Sequence, residues 1–229
     1  MKLLEQIYWY PWQGSGNNCN SILFAGKKMI LIDPGHIYNE FRESCLDALD
    51  RQLSADGFSM EQVELILCTH GHPDHVEAAG MVRARSGAQF ALHRQDEFIL
   101  EVLEQHYAAA AGQEMPSLKP DFYLQEGVLD IGLDEAEQIA VYHTPGHSPG
   151  SVCLYIPHLK TMITGDTIFQ NSIGRADLPG GDMAELEESV GKLAGIEDVE
   201  LLLPGHMDYL SGRENVERNY ERIRRYFFR

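Results

Sequence analysis

Three histidines and one aspartate fall within six residues of this chain, at 70–75, in the segment Thr69-His-Gly-His-Pro-Asp-His75. Imidazole nitrogens and a carboxylate are the donors that zinc, iron and similar divalent metals prefer. The segment follows an apolar run, 63–69, that is predicted to be a buried strand, and Pro73 suits the first turn of a helix. A polar loop whose histidines only hydrogen-bond the backbone is the alternative, and it explains so dense a cluster less well.

Three further segments carry metal-competent side chains. They are His143-Thr-Pro-Gly-His147-Ser-Pro-Gly-Ser151, Thr164-Gly-Asp166-Thr167 and Leu203-Pro-Gly-His206. Each lies where a predicted strand meets a glycine-containing loop, which is where a rigid scaffold usually presents functional groups. Taken singly, each segment is more typical of an ordinary turn than of a metal site. Taken together they complete a set of seven candidate ligands: His70, His72, Asp74, His75, His147, Asp166 and His206.

The elements that must position these side chains form two β-rich groups, each accompanied by helices. We find no internal repeat and no linker, so the pattern predicts a single domain over 1–229. Two sheets packed together with helices on the outer faces would fit it. Strands are predicted at 3–10, 19–25, 28–33, 63–69, 88–92, 137–143, 151–156, 160–164 and 199–203, and helices at 39–55, 73–86, 94–107, 183–194 and 212–227.

Composition limits the classes of protein to consider. With 18 lysines and arginines against 35 aspartates and glutamates, the 229 residues carry a formal charge of −17. Such a field repels phosphate backbones and anionic membrane surfaces, which argues against nucleic-acid and membrane partners. The chain has no apolar run of the ~20 residues that a membrane helix needs, and no signal-peptide core at its start, so a cytoplasmic location is expected. The four cysteines contain no C-x-x-C pair and predict neither a disulfide framework nor a zinc finger.

The motifs T-H-G-H-P-D-H, H-T-P-G-H-S-P-G-S, T-G-D-T and P-G-H, in that order, resemble the metallo-β-lactamase superfamily. The resemblance runs from Leu31-Ile-Asp-Pro-Gly35 to His206, nearly the whole chain. It implies an α/β (α+β) fold, a four-layer αβ/βα sandwich, with a two-metal site on one edge.

The resemblance also implies roles for individual residues. His70, His72 and His147 would bind one divalent ion, Asp74, His75 and His206 would bind the other, and Asp166 would bridge the two. Zinc is the first choice for both ions, with iron or manganese as alternatives. Asp33 would support the histidine-rich loop from behind, although the residues alone leave open an ordinary Asp-Pro-Gly turn. His143 is a second candidate for such a supporting role.

This ligand set predicts a hydrolytic mechanism. Two ions ~3.5–4 Å apart can hold a bridging hydroxide, because the pKa of metal-bound water falls toward ~7. One ion would polarise the substrate carbonyl while the hydroxide attacks it. Asp74 would be catalytic as well as a ligand, because its carboxylate can orient the nucleophile by hydrogen bonding.

The stretch 165–182 resembles the short, glyoxalase II-like hydrolases, which cleave hydroxyacyl thioesters of glutathione such as S-lactoylglutathione. The predicted partner is therefore a small-molecule thioester. Arg175 is a candidate to clamp a substrate carboxylate, or else pairs with Asp177. Full glyoxalase II carries an aromatic residue after its Gly-Arg element and a basic helical extension, and this chain departs from both features.

The sequence also allows other interpretations of the function. The element Gly174-Arg-Ala-Asp177 also resembles the persulfide dioxygenases of the superfamily, which use one iron held by the equivalents of His70, His147 and Asp166. Hydrolysis of other esters or lactones is a further alternative, although the lactonases carry a tyrosine where this chain has Phe169. A non-enzymatic binding module would predict an incomplete ligand set. The final helix leaves a homodimer open.

Overall fold

Short apolar runs in the first half of the chain form a six-stranded sheet in the computed structural model, which describes residues 1–111 and 116–228. The strands occur in the sheet in the same order as in the chain. The first three pair antiparallel, and β3, β4 and β5 pair parallel. Their bounds are β1 (Ile7–Tyr10), β2 (Ser21–Ala25), β3 (Met29–Ile32), β4 (Leu65–Leu67), β5 (Gln89–His93) and β6 (Phe122–Leu124).

Four helices accompany this sheet: α1 (Cys45–Ala55), α2 (Pro73–Val76), α3 (Ala79–Ser86) and α4 (Glu97–Ala111). Helix α1 begins after Ser44, whose hydroxyl accepts a hydrogen bond from the Asp47 N–H group and so satisfies one of the open donors of the first turn. Its buried stripe packs in one apolar core with the sheet side chains Leu23, Leu31 and Phe90. Burying this stripe stabilises the helix more than its intrinsic propensity does.

The second half forms another six-stranded sheet and a small hairpin. The sheet strands are β7 (Gly127–Val128), β8 (Ala140–His143), β9 (Val152–Ile156), β10 (Thr161–Gly165), β13 (Leu201–Pro204) and β14 (Leu210–Ser211), and the hairpin consists of β11 (Ile168–Phe169) and β12 (Ser172–Ile173). The sheet order is β14-β13-β10-β9-β8-β7, in which β10 and β13 pair parallel. Helices α5 (Met183–Leu193) and α6 (Arg213–Phe227) bury Leu186, Val190 and Ile223 in the core of this half.

The two β-rich groups predicted from the sequence are confirmed, with most element bounds displaced by a few residues. The predicted helix at 73–86 is wrong as one element, because the Ala78 N–H group donates to the carbonyl of Gly35 and the chain breaks between α2 and α3. The predicted helix at 39–55 begins only at Cys45. Its first residues form a turn instead, in which the side chain of Asn39 accepts from the N–H groups of Phe41 and Glu43.

The chain consists of two compact units, Met1–Tyr123 and Leu124–Arg229. The expectation that they form one domain stays a prediction. Among residues 1–111 and 116–228, no helix combines the length and the apolar character needed to cross a membrane. A cytoplasmic location likewise stays a prediction.

Candidate metal centre

In the first unit, the candidate ligands lie on the loop that leaves β4 and enters α2. His72 precedes the first residue of α2, and Pro73 occupies the first helical position, where no N–H group is needed. The ring centroids of His70 and His75 lie 4.1 Å apart, and those of His70 and His72 lie 4.8 Å apart. The donor atoms of Asp74 and His75 also come within 4.8 Å of each other. The four side chains of this loop are thus close enough to share metal ions.

Asp33, directly after β3, anchors the loop of candidate ligands between β4 and α2 through hydrogen bonds. Its Oδ1 accepts from the Thr69 N–H group at 2.8 Å, and its Oδ2 accepts from the Thr69 hydroxyl at 2.7 Å and from Nδ1 of His75 at 2.9 Å. The Asp33 side chain is 1% exposed and that of His75 is fully buried. Asp33 adopts a left-handed backbone conformation with φ of 52°, which aspartate tolerates better than most residues.

These bonds determine which ring nitrogen faces a metal. Because Asp33 accepts at Nδ1 of His75, that nitrogen carries the proton and Nε2 carries the lone pair. The Thr69 hydroxyl gives its proton to Asp33, so at 3.2 Å it can only accept from Nδ1 of His70. One carboxylate thus sets the tautomer of two histidines. Such supporting partners are a regular feature of histidine metal ligands.

Asp74 is held by a separate loop that sequence reasoning did not single out. Nδ2 of Asn17 donates to Oδ2 of Asp74 at 2.9 Å. The loop itself is fixed by two carboxylates: Glu40 accepts from the Asn17 N–H group, and Glu43 accepts from those of Ser15 and Gly16. Hydrogen bonds from the Asn39 side chain and from these two backbone groups lower the pKa of Glu43, so it is ionised at neutral pH.

Asn17→Ala should therefore weaken metal binding through Asp74. We expect an affinity loss of about tenfold at one of two binding steps, the usual scale for removing a hydrogen bond to a ligand, with little change in the free energy of unfolding. Calorimetric titration of metal into the stripped protein measures this. Ser15→Ala is the matched control, because only the backbone N–H group of Ser15 is seen to hold the loop. Equal affinities in the two variants would contradict a positioning role for Asn17.

In the second unit, three candidate ligands come together at the ends of strands. Asp166 follows β10, His147 lies in the loop after β8, and His206 follows β13. Oδ2 of Asp166 lies 3.6 Å from Nε2 of His147 and 3.4 Å from Nε2 of His206. The side chains of His147 and Asp166 are no more than 10% exposed, whereas that of His206 is 24% exposed. One carboxylate oxygen therefore lies between two imidazole nitrogens.

The Gly174-Arg175 segment supports this cluster with its backbone. Nδ1 of His147 donates to the carbonyl oxygen of Arg175 at 2.7 Å, which again leaves the lone pair on Nε2. A Cβ atom at Gly174 would lie 1.8 Å from the carbonyl oxygen of Asp166 and 3.0 Å from Nδ1 of His147. The close approach of the backbone, and not a special φ angle, requires glycine here.

Gly174→Ala is therefore expected to displace both candidate ligands. We predict a loss of metal affinity of about tenfold or more and a destabilisation of about 1–3 kcal/mol, the usual cost of overpacking. Metal content after dialysis and the denaturant midpoint measure the two effects. Gly191→Ala is the matched control: it lies within α5, has nothing within 4 Å of its added Cβ, and should be neutral or stabilising. A Gly174→Ala protein with normal metal content would contradict this account.

The remaining candidates have other partners in the structure. The guanidinium of Arg175 forms two hydrogen bonds with Asp177, at 2.9 and 3.0 Å, and lowers the pKa of that carboxyl; both side chains are about 70% exposed. Nε2 of His143 lies 2.9 Å from the carbonyl oxygen of Pro149, in its own loop. A substrate contact for Arg175 and a supporting role for His143 both stay predictions.

The cysteines do not offer an alternative nucleophile. All four are buried as free thiols. Burial raises the pKa of Cys68 well above its usual value and that of Cys153 to about 11. Neither thiol is ionised at neutral pH, which removes the reactive form.

Sequence reasoning missed several supporting residues. Besides Asn17 and Gly174, Asp96 is one: its buried Oδ2 accepts from the Gly71 N–H group at 2.8 Å. Asp96 and Asn17 lie 25 and 57 residues from their partners, so no local pattern marks them. In the sequence, Gly174 is only the glycine of the Gly-Arg element, and no local pattern marks its backbone as a contact of Asp166.

The donor chemistry fits divalent metal ions. His70, His75 and His147 each have Nδ1 paired with a protein oxygen, so their Nε2 atoms are the donors, and carboxylates accompany them in both units. Neutral imidazoles and carboxylates suit zinc, iron and manganese.

The sequence profile of the metallo-β-lactamase superfamily matches residues 14–206. The chain belongs to this superfamily. Its fold is the metallo-β-lactamase fold, a mixed α/β architecture, and it is a metal-dependent hydrolase in which a cluster of histidines and aspartates binds divalent metal.

Three relatives illustrate the range of this superfamily. The hydroxyacylglutathione hydrolase GloC of Haemophilus influenzae is 31% identical over 195 residues, which cover 84% of this chain and 86% of GloC. TTHA1623, whose crystal structure is of a di-iron-bound form, is 30% identical in sequence. Its structure matches with a TM-score of 0.68, and the match covers 88% of this chain and 94% of that chain. The BLEG-1 B3 metallo-β-lactamase is 26% identical, with a TM-score of 0.70 over 97% and 98% of the two chains.

Proposed function

We propose that this protein is a thioesterase of the glyoxalase II type, which hydrolyses hydroxyacyl thioesters such as S-lactoylglutathione. The observation that carries the proposal is the position of Asp166, whose Oδ2 lies within 3.6 Å of both His147 and His206. The family resemblance assigns those two histidines to different ions. A carboxylate between them suits a bridging ligand, which the β-lactamase branch lacks.

The likeness to GloC supports the choice of substrate. It extends over most of both chains, and that relative is named for hydrolysis of hydroxyacylglutathione. The acyl and thiol parts of the substrate are therefore proposed from the likeness to GloC, whereas metal-dependent hydrolysis follows from membership of the superfamily.

In this proposal the ligands divide into two sets. His70, His72 and His147 would hold one ion, Asp74, His75 and His206 would hold the other, and Asp166 would be a ligand of both. When bound, the ions supply Lewis acidity, which activates a water molecule and polarises the thioester carbonyl. Zinc is the proposed metal, and the di-iron form of TTHA1623 makes iron the first alternative to test.

The protein side chains have distinct tasks. The Asp74 carboxylate, oriented by Asn17, accepts a hydrogen bond from the attacking water and aligns it with the carbonyl carbon. Asp33 keeps the lone pairs of His70 and His75 on Nε2, and the Arg175 carbonyl does the same for His147. These anchors hold the imidazoles in place before substrate arrives, which reduces the reorganisation that the reaction requires.

The deciding experiment is the release of free thiol from S-D-lactoylglutathione. The protein is stripped with a chelator, dialysed, and reloaded separately with zinc, iron(II) or manganese, and thiol release is followed with a chromogenic reagent. We expect turnover only in the reloaded samples, and a metal content that approaches two ions per chain in the most active one.

Other substrates test the alternatives in the same preparation. Oxygen uptake with glutathione persulfide and no thiol release from the thioester would overturn the proposal in favour of the persulfide dioxygenases. Hydrolysis of a chromogenic cephalosporin or a lactone, again without thioester turnover, would place the chain in another hydrolytic branch. Either result would leave the proposed metal ligands unchanged but would contradict the proposed thioester substrate.

A further inference from the structure

A polar cavity of about 290 Å³ lies in the second unit, between the tip of the β11–β12 hairpin and helix α6. The hairpin contributes Gln170 and Asn171, and α6 contributes Arg218 and Arg222. The two arginines are four residues apart, so both project from the same face of the helix. In a chain with a net charge of −17, two guanidinium groups facing one cavity form a local positive site.

Each arginine of this cavity donates a hydrogen bond to an amide oxygen. Nη1 of Arg222 donates to Oδ1 of Asn171 at 2.9 Å, and Nη2 of Arg218 donates to Oδ1 of Asn215 at 3.2 Å. Because an amide oxygen is neutral, these bonds orient the guanidinium groups without cancelling their charge.

None of the described residues that line this cavity is an aspartate or a glutamate. Within the described ranges, Arg222 has no carboxylate oxygen within ion-pair distance. The ion pair of Arg218 is with Glu214, at 3.8 Å, and the Glu214 side chain is 91% exposed, so solvent screens it. By contrast, Arg83 forms two hydrogen bonds with Asp121, and Arg85 contacts both Asp50 and Glu61.

A buried asparagine keeps the cavity in shape. Asn219 lies on α6 between the two arginines and is 3% exposed. Its Oδ1 accepts from the Asn171 N–H group at 2.7 Å, and its Nδ2 donates to the Phe169 carbonyl at 3.0 Å. The hairpin tip, where Asn171 adopts a left-handed conformation with φ of 57°, is therefore fixed to the helix before any ligand binds.

We propose that this cavity binds the oxyanion group, carboxylate or phosphate, of a small acidic molecule. The planar guanidinium fork matches the oxygens of both groups and forms hydrogen bonds strengthened by charge. Tyr209, three residues beyond His206, also lines the cavity. The proposal concerns a site separate from the seven metal ligands and does not rest on the identity of the substrate.

The test is an NMR titration of the full, metal-stripped chain, observing backbone amides and arginine Nε–H groups. The probes are inorganic phosphate, succinate and glutathione, each added at constant ionic strength up to tens of millimolar. We expect saturable shifts centred on Asn171 and Arg222 with at least one probe. Binding should weaken as sodium chloride is raised, because the charges are partly exposed.

Arg222→Gln should lower the affinity at least tenfold, since it removes one guanidinium fork while keeping a polar side chain. Arg222→Lys, which keeps the charge but not the fork, should fall between this variant and the unmodified protein. Arg225→Gln is the matched control, because it removes the same charge from the same helix at a residue that does not line this cavity. Unchanged melting temperatures would show that all three variants fold.

Binding of succinate and glutathione without phosphate would identify the ligand group as a carboxylate, and binding of phosphate alone would identify a phosphate. No saturable shift with any probe, or equal affinities in Arg222→Gln and Arg225→Gln, would overturn the proposal. Because the metal is absent throughout, this result is independent of whether the protein hydrolyses thioesters.

Discussion

Asp166→Ala is expected to abolish metal-dependent hydrolysis while the protein remains folded. The variant removes the carboxylate between His147 and His206, so both proposed ions lose a ligand. Metal catalysis of this kind is worth several kcal/mol of barrier, and we predict that kcat/KM falls by about a thousandfold or more. Metal content measured after dialysis should fall in parallel, to about one ion per chain or fewer.

The control for this experiment is Asp177→Ala, which removes a nearby carboxylate whose partner is the exposed guanidinium of Arg175. It should leave the metal content unchanged. Circular dichroism and a cooperative thermal transition would show whether Asp166→Ala is folded. Full metal content and turnover in a folded Asp166→Ala protein would disprove the assigned site.

Asp33→Asn is expected to damage stability and metal binding together. The substitution keeps the size of the side chain, and asparagine tolerates the left-handed backbone at this position. An amide cannot, however, accept all three of the bonds that Thr69 and His75 now donate to Asp33. We expect a loss of roughly 2–4 kcal/mol in the free energy of unfolding, because one or two buried donors lose their acceptor. Metal affinity should fall about 10–100-fold because the tautomers of His70 and His75 are no longer fixed.

Denaturant unfolding of the metal-stripped protein and calorimetric metal titration separate the two effects. Asp50→Asn is the comparison, since Asp50 forms a partly exposed ion pair with Arg85 and should cost less than about 1 kcal/mol. If Asp33→Asn were as stable as Asp50→Asn and bound metal normally, Asp33 would be only a turn residue, as its Asp-Pro-Gly sequence also allows.

The metal chemistry could be predicted from the sequence, because the candidate ligands lie in short motifs that local composition reveals. His70, His72, Asp74 and His75 occupy one turn, and Asp166 and His206 each follow a predicted strand. The two β-rich groups could also be predicted, since buried strands of four or five apolar residues have a clear pattern. Strands of two residues, such as β7, β11 and β12, could not, because two residues carry no periodicity.

The contacts that hold the candidate ligands, by contrast, join residues far apart in the chain and could not be predicted. Asp33 and His75 are 42 residues apart, Asn17 and Asp74 are 57 apart, and Gly174 meets the backbone of Asp166 through a turn that no propensity describes. The arginines of the α6 cavity likewise belong to an ordinary polar helix face in sequence. They form a charged site because each donates to an amide oxygen, Arg222 to that of Asn171 on the hairpin fixed by Asn219 and Arg218 to that of Asn215 on the helix itself. Spacing along the chain predicts donors, whereas long-range hydrogen bonds set their tautomers, orientations and neighbours.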